Sequence, residues 1–153
     1  MIRPLILCLS FIISLSLSAV TIKDAYTRQM ETEQFQRVSE FFTGNENPGG
    51  ATILRSQEEE RDGLYFHLKL SEKLESTAVE HTFVLEVIRS DALKLTEYTF
   101  ALTGKEAAKK RVILGLTGAD WPDPELQAMA WRVRLLSGET EVASWKSFLW
   151  EMP

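Results

Sequence analysis

The 153-residue chain predicts a mainly β protein: an antiparallel two-sheet β-sandwich of about seven strands with one N-terminal helix. Three observations carry that expectation. Short stretches alternate apolar and polar residues with the period of a strand that has one dry face, as in "LYFHLKL" at 64–70. Turn signals rich in Gly, Pro, Asn and Asp separate most of these stretches. An apolar leader opens the chain and marks the domain as exported.

The leader comes first in the chain. "MIRPLILCLSFIISLSLSAV" has a basic start at Arg3, an apolar run from Leu5 to Leu17, and small residues after it. That order is a secretory signal peptide. Cleavage after Ser18 places Ser16 and Ser18 at both critical sites, whereas cleavage one residue later puts Leu17 at the outer one. The run is shorter than the ~20 residues of a bilayer span, which argues against a retained anchor helix. Cys8 is the sole cysteine and follows Leu7, not the small residue a lipid-attachment site needs. Residues 1–19 are therefore assigned to the signal, 20–48 to an N-terminal helix and loop, and 49–153 to the sandwich. Membrane contact is expected only through the signal before cleavage. The expected location is periplasmic or extracellular. The mature chain would carry no thiol, so its core must hold without disulfides.

Composition bounds the rest. Hydrophobic residues at 44% and charged residues at 25% are globular values, not those of a disordered chain. The net charge of −5, with no basic block, leaves out the electrostatic footprint of a nucleic-acid binder. The acidic residues are dispersed, so they form no tail.

Residues 24–42 are expected to form the helix. Asp24 can cap it, Phe35, Val38 and Phe42 share one helical face, and Tyr26 with Met30 makes a weaker patch. It should stop at Thr43-Gly44. "NENPGG" is a loop, "ATILRS" a short strand and "QEEERDG" a charged turn. The next strands set Leu64, Phe66, Leu68 and Leu70 against Tyr65, His67 and Lys69, then Phe83, Leu85 and Val87 against Val84 and Glu86. Tyr98, Phe100 and Leu102 follow, then Val112, Leu114 and Leu116. Met129, Trp131, Val133 and Leu135 stand opposite Arg132 and Arg134, and "VASWKSFLW" closes the chain. Thr-Gly pairs at Thr43-Gly44, Thr103-Gly104 and Thr117-Gly118 each follow the last apolar residue of an element. Their spacing is irregular and no Lys-Ser or Lys-Thr pair opens a helix after them. They are read as punctuation, not a phosphate loop.

The stretch "ILGLTGADWP…MAWRVRLL" resembles the passage from strand E to strand F in fibronectin type III and related immunoglobulin-like domains. That resemblance implies a sandwich of that kind, without the core cysteine pair of antibody domains and with an extra helix. "FFTGNENPGGATILRS", "GLYF" and "FVLEVIRSD" resemble short exported bacterial proteins of unknown function, a likeness that implies no activity.

Residues able to carry chemistry are few. His67 sits on a wet face and His81 at a strand start, without zinc-site spacing. No Gly-x-Ser-x-Gly elbow occurs. The run from Glu58 to Asp62 reads as a solvated turn. Asp120, Asp123 and Glu125 in "GADWPDPE" offer oxygens but no calcium-loop pattern, and Pro122 and Pro124 make a stiff loop that tucks Trp121 onto the sandwich end. No cofactor or metal is expected.

The last strand breaks the alternation. Trp145 and Leu149 share one face, while Val142, Phe148 and Trp150 share the other. A strand with one wet face should not be apolar on both. The helix stripe of Phe35, Val38 and Phe42 is the favoured cover, and a partner chain the alternative. Phe148, Trp150 and Trp121 are the candidate binding residues. The expected function is that of an exported, non-catalytic module binding another envelope protein. A carbohydrate-binding module using the C-terminal tryptophans is the alternative, and a small hydrolase is a third reading.

Overall fold

A computed structural model of the chain describes residues 19–75, 79–102 and 108–151. Residues 1–18 of the expected signal peptide, Cys8 among them, and the Thr103-Gly104 pair lie outside the described residues. Two four-stranded sheets face each other as a β-sandwich. Sheet 1 runs in the order β1 (Ile22–Met30), β3 (Gly63–Leu70), β6 (Arg111–Thr117), β2 (Thr52–Arg55). Sheet 2 runs β5 (Leu95–Leu102), β4 (His81–Arg89), β7 (Ala128–Ser137), β8 (Thr140–Lys146). The chain changes sheet between β3 and β4, between β5 and β6, and between β6 and β7.

The alternation places the core as the sequence indicates. Leu64, Phe66, Leu68 and Leu70 of β3, with Val112, Leu114 and Leu116 of β6, face Phe83, Leu85 and Val87 of β4 and Trp131, Val133 and Leu135 of β7. Phe66 meets Trp131 edge-on across the sheets, ring centroids 5.2 Å apart. Met129 does not join this face. The register shift between Ile88, paired with Ala130, and Arg89, paired with Ala128, falls at Met129, which is exposed.

The N-terminal helix is the first correction. Residues Ile22–Met30 form an edge strand antiparallel to β3. Two short helices follow within residues 31–51, α1 (Thr32–Phe35) and α2 (Val38–Thr43). The reason is geometric. Tyr26 and Met30 are four apart, an even spacing that shares a face in a strand as it does in a helix. Once Leu64, Phe66 and Leu68 commit β3 to the core, its free edge takes β1, and pairing overrides a weak helical preference. Between the helices Gln36 and Arg37 are extended, which breaks the expected stripe after Phe35. Gly44 takes the left-handed conformation at φ 69° and closes α2, with its N–H donating to the Glu40 carbonyl. Gly118, after β6, is also left-handed at φ 56°.

The second correction is one of direction. β2 runs parallel to β6, so sheet 1 is not wholly antiparallel. Segment 31–51 leaves the β1 edge, crosses the outer face of sheet 1 and returns at the β2 edge, and that crossover sets β2 parallel. The third correction is at the C-terminus. β8 stops at Lys146, and Phe148–Glu151 form a 3₁₀ turn. Ser147 fixes the break: its N–H donates to the Trp131 carbonyl at 2.8 Å, and its Oγ accepts from the Trp131 N–H at 3.0 Å.

Candidate functional site

The outer face of sheet 1 beneath segment 31–51 holds a second, smaller core of Met30, Phe35, Ala51, Tyr65 and Ile113. Strand alternation puts Tyr65 on what reads as a wet face, yet it is fully buried. Its ring lies over Gly115 of β6, where a Cβ would come within 2.5 Å of it. Phe35 packs on Tyr65 at 4.7 Å between centroids.

Arg55 at the end of β2 ties the segment down. Its Nη atoms donate to both Glu46 carboxylate oxygens at 2.7 Å, and its Nε donates to Tyr65 Oη at 2.8 Å. The guanidinium also lies 4.8 Å from the Phe35 ring centroid. Tyr65 Oη donates in turn to the Arg61 carbonyl at 2.6 Å. The Arg55 hydrogen bond holds the Glu46 carboxyl below its usual pKa against the effect of burial. Burial works against the Arg55 charge, but its bonds to Glu46 and Tyr65 outweigh it and raise its pKa. Two more fasteners act at the helices. Arg61 pairs with Glu40 at 2.6 Å, and Asp62 Oδ1 accepts from both the N–H and the hydroxyl of Thr32 at 2.7 Å.

This fastened segment turns large apolar groups outward. Val38, Phe41 and Phe42 on α2 are 79%, 88% and 78% exposed. Phe41 and Phe42 meet edge-on at 5.5 Å. Gln36, Arg37, Glu40 and Phe41 line a shallow pocket of about 230 Å³ beside them. Of the stripe Phe35, Val38 and Phe42, only Phe35 is buried, and it covers sheet 1. The stripe does not cover the Phe148/Trp150 surface, contrary to the favoured expectation.

The three expected binding residues are not brought together. Trp121 is buried in the main core. Phe148 is 87% exposed. Trp150 lies on the outer side of sheet 2 over the Arg132 guanidinium, 5.1 Å from its ring centroid. Below it Arg132 donates to Glu86 at 2.6 and 2.9 Å, and Arg134 reaches the same carboxylate at 3.3 Å. The Arg132 hydrogen bond lowers the Glu86 pKa against the effect of burial. Arg134 also approaches Glu97 and Glu141 at 3.6 and 3.9 Å. The outer face of sheet 2 is therefore a ladder of alternating charge capped by one indole.

Asp120 accepts from Gln57 Nε2 at 3.0 Å, and Asp123 Oδ1 accepts from the Glu125 N–H at 2.8 Å, so both carboxylates serve the loop. Among the described residues no group of three or more His, Cys, Asp or Glu side chains gathers as a metal site would. His67 stacks parallel on Tyr26 on the open part of sheet 1, and His81 opens β4. The alternation hid the Arg55–Glu46–Tyr65 cluster because its members come from a strand end, a loop and a nominally wet face. The usable signal was the apolar stripe of residues 35–42, which needs a surface to sit on. Comparison of the chain with protein-family models, with curated proteins and with solved structures finds no match.

Proposed function

We propose that the protein is an exported, non-catalytic β-sandwich module that docks on another envelope protein through α2. The carrying observation is that Val38, Phe41 and Phe42 point into solvent from a segment fastened by Arg55–Glu46 and Arg61–Glu40. Single exposed apolar residues are common and need no cause, but a cluster of three with a polar rim is the composition of an interface centre. Arg37 and Glu40 supply such a rim. The rigid mount matters because a group already held in place loses little freedom on binding.

The strand arrangement supports reading the fold as fibronectin type III- or immunoglobulin-like. β3 beside β6 and β4 beside β7 match the adjacency of strands B with E and C with F in that scheme. The parallel β2 and the crossing segment 31–51 are departures from it. The tryptophan-platform alternative draws little support, since Trp121 and Trp131 are buried and Trp150 has one face on Arg132.

The test replaces Phe41 and Phe42 together by Ser. Both are exposed, so melting should stay within a degree or two of wild type. Partners recovered with the wild-type protein from its native envelope fraction are then purified and titrated with both proteins. The reading requires a partner whose affinity falls at least tenfold with the double variant. Equal binding by the two proteins would overturn it.

A further inference from the structure

Beyond the segment that covers Tyr65, the outer face of sheet 1 lies open and forms a cleft of about 200 Å³. Register builds it row by row. Tyr26 of β1, His67 of β3 and Ile113 of β6 are cross-strand neighbours, and Asp24, Lys69 and Arg111 form the next row. All six line the cleft. The Tyr26 ring lies parallel to His67, 2° between planes and 4.7 Å between centroids, and remains 52% exposed. One face of the ring rests against His67, and the rest is open to solvent.

The charges around this shelf are out of keeping with an acidic chain. Lys69 and Arg111 stand directly opposite each other on neighbouring strands. Like charges in that position repel. Arg28, next outward-facing residue on β1 after Tyr26, adds a third cation close enough to act on His67. None of the three forms an ion pair among the described residues, whereas every other arginine of sheets 1 and 2 does so. His67 Nε2 is buried with no hydrogen-bond partner, so the imidazole answers to the cations without a compensating acceptor. Burial first, then Arg111 and Arg28, holds its pKa below the usual histidine value.

We infer that this cleft binds one acidic sugar unit, with the pyranose face on Tyr26 and the anionic group on Arg111 and Lys69. Unpaired cations select an anion, and a guanidinium holds carboxylate or phosphate with directed hydrogen bonds. An exposed aromatic ring selects a ligand with a flat apolar face. Asp24 selects against a plain anion and for one that carries hydroxyl donors, since its carboxylate can only accept. The volume lies below the ~300–1,000 Å³ of sites for drug-sized ligands and suits one ring, not a chain. The site is separate from α2, and it uses none of the tryptophans.

The experiment follows the His67 and His81 ring signals by NMR across pH while the purified protein is titrated with glucuronate, glucose 6-phosphate, glucose or inorganic phosphate. A bound anion offsets Arg111 and Arg28, so the His67 midpoint should rise, with the His81 signal, from the start of β4 in the other sheet, as the spectral reference. A saturable rise with glucuronate alone assigns a carboxylate ligand, with glucose 6-phosphate alone a phosphate ligand, and with both the shared anionic-sugar chemistry. Arg111→Gln should weaken that binding about tenfold with the fold intact, and Tyr26→Ala should weaken it while leaving the charge in place. The inference is overturned if neither acidic sugar moves His67 saturably, if glucose moves it equally, or if inorganic phosphate acts as strongly as the sugars. It is also overturned if Arg111→Gln binds like wild type.

Discussion

Arg55→Ala tests whether segment 31–51 is held by one buried guanidinium. The change removes two hydrogen bonds to Glu46, one to Tyr65 and the cation over Phe35. Side-chain exposure is 8% for Arg55 and 21% for Glu46, so the pair is neither a surface bridge nor fully dry. Breaking one partner of a fully buried pair costs about 3–5 kcal/mol, and an exposed pair contributes about 0–1 kcal/mol. The intermediate burial, with Glu46 free to turn partly to water, places the loss at about 2–3 kcal/mol. For a domain of this size that lowers the melting temperature by about 4–12 °C. Circular dichroism reads the global loss, and hydrogen exchange at residues 31–51 reads the local one. Exchange there should rise before the β3, β4 and β7 amides are affected, because the segment sits outside the main core. A variant that melts within a degree of wild type, with residues 31–51 still protected, would refute the fastening role.

Two further outcomes follow from the same contacts. Trp131→Ala should cost about 3–5 kcal/mol by chemical denaturation, whereas Arg132→Ala should cost about 1–2 kcal/mol because it strips the main partner from Glu86, and Arg134→Ala only ~0.5 kcal/mol; costs in the reverse order would mean that the β7 register is off by one. Acid should weaken the fold through Glu46 and Glu86. Both folded pKa values are lowered from 4.5, so their stabilisation is complete above that value and is lost as pH falls through the depressed folded values. Urea midpoints from pH 7 to pH 3 should therefore decline most steeply below pH ~4.5, and Glu46→Gln with Glu86→Gln should flatten that decline; an unchanged slope would refute the assignment.

What the sequence conveyed depended on how much of each element faces the core. β3, β4, β6 and β7 bury one full face, and their alternation located Phe66, Leu85, Leu114 and Val133 correctly. β1 was illegible because Ala25, Thr27 and Gln29 turn inward at the sheet edge, where burial is partial and weakly apolar residues suffice. β2, at the opposite edge of the same sheet, is only four residues long, and nothing in "TILR" distinguishes a parallel from an antiparallel partner. Such direction is set by the crossing of residues 31–51, a tertiary fact. At the C-terminus the unusual run of apolar residues on both faces was a true signal, but its cause is a change of backbone at Ser147, not a hidden cover. Of the binding candidates, Phe148 is exposed and Trp121 is not. The distinction rests on which end of a loop folds back over the core, and residue type alone does not carry it.

β3 shows how one strand can serve both core and surface. Its inward residues Leu64, Phe66, Leu68 and Leu70 are all core, whereas its outward residues pass from buried Tyr65 through half-buried His67 to exposed Lys69. That gradient is set by where segment 31–51 ends its cover. Ile113 belongs to the small core under the segment and also lines the open cleft, so the two share a boundary. Arg55 and Glu46 fix the covered side, and Tyr26 and Arg111 form the open one. A change confined to Phe41 and Phe42 leaves that boundary alone, because both are exposed on α2 and neither belongs to the small core. Loss of Arg55 does not leave it alone. The docking and sugar-binding assignments can therefore be tested separately with surface variants, and they should fail together only when the segment itself is released.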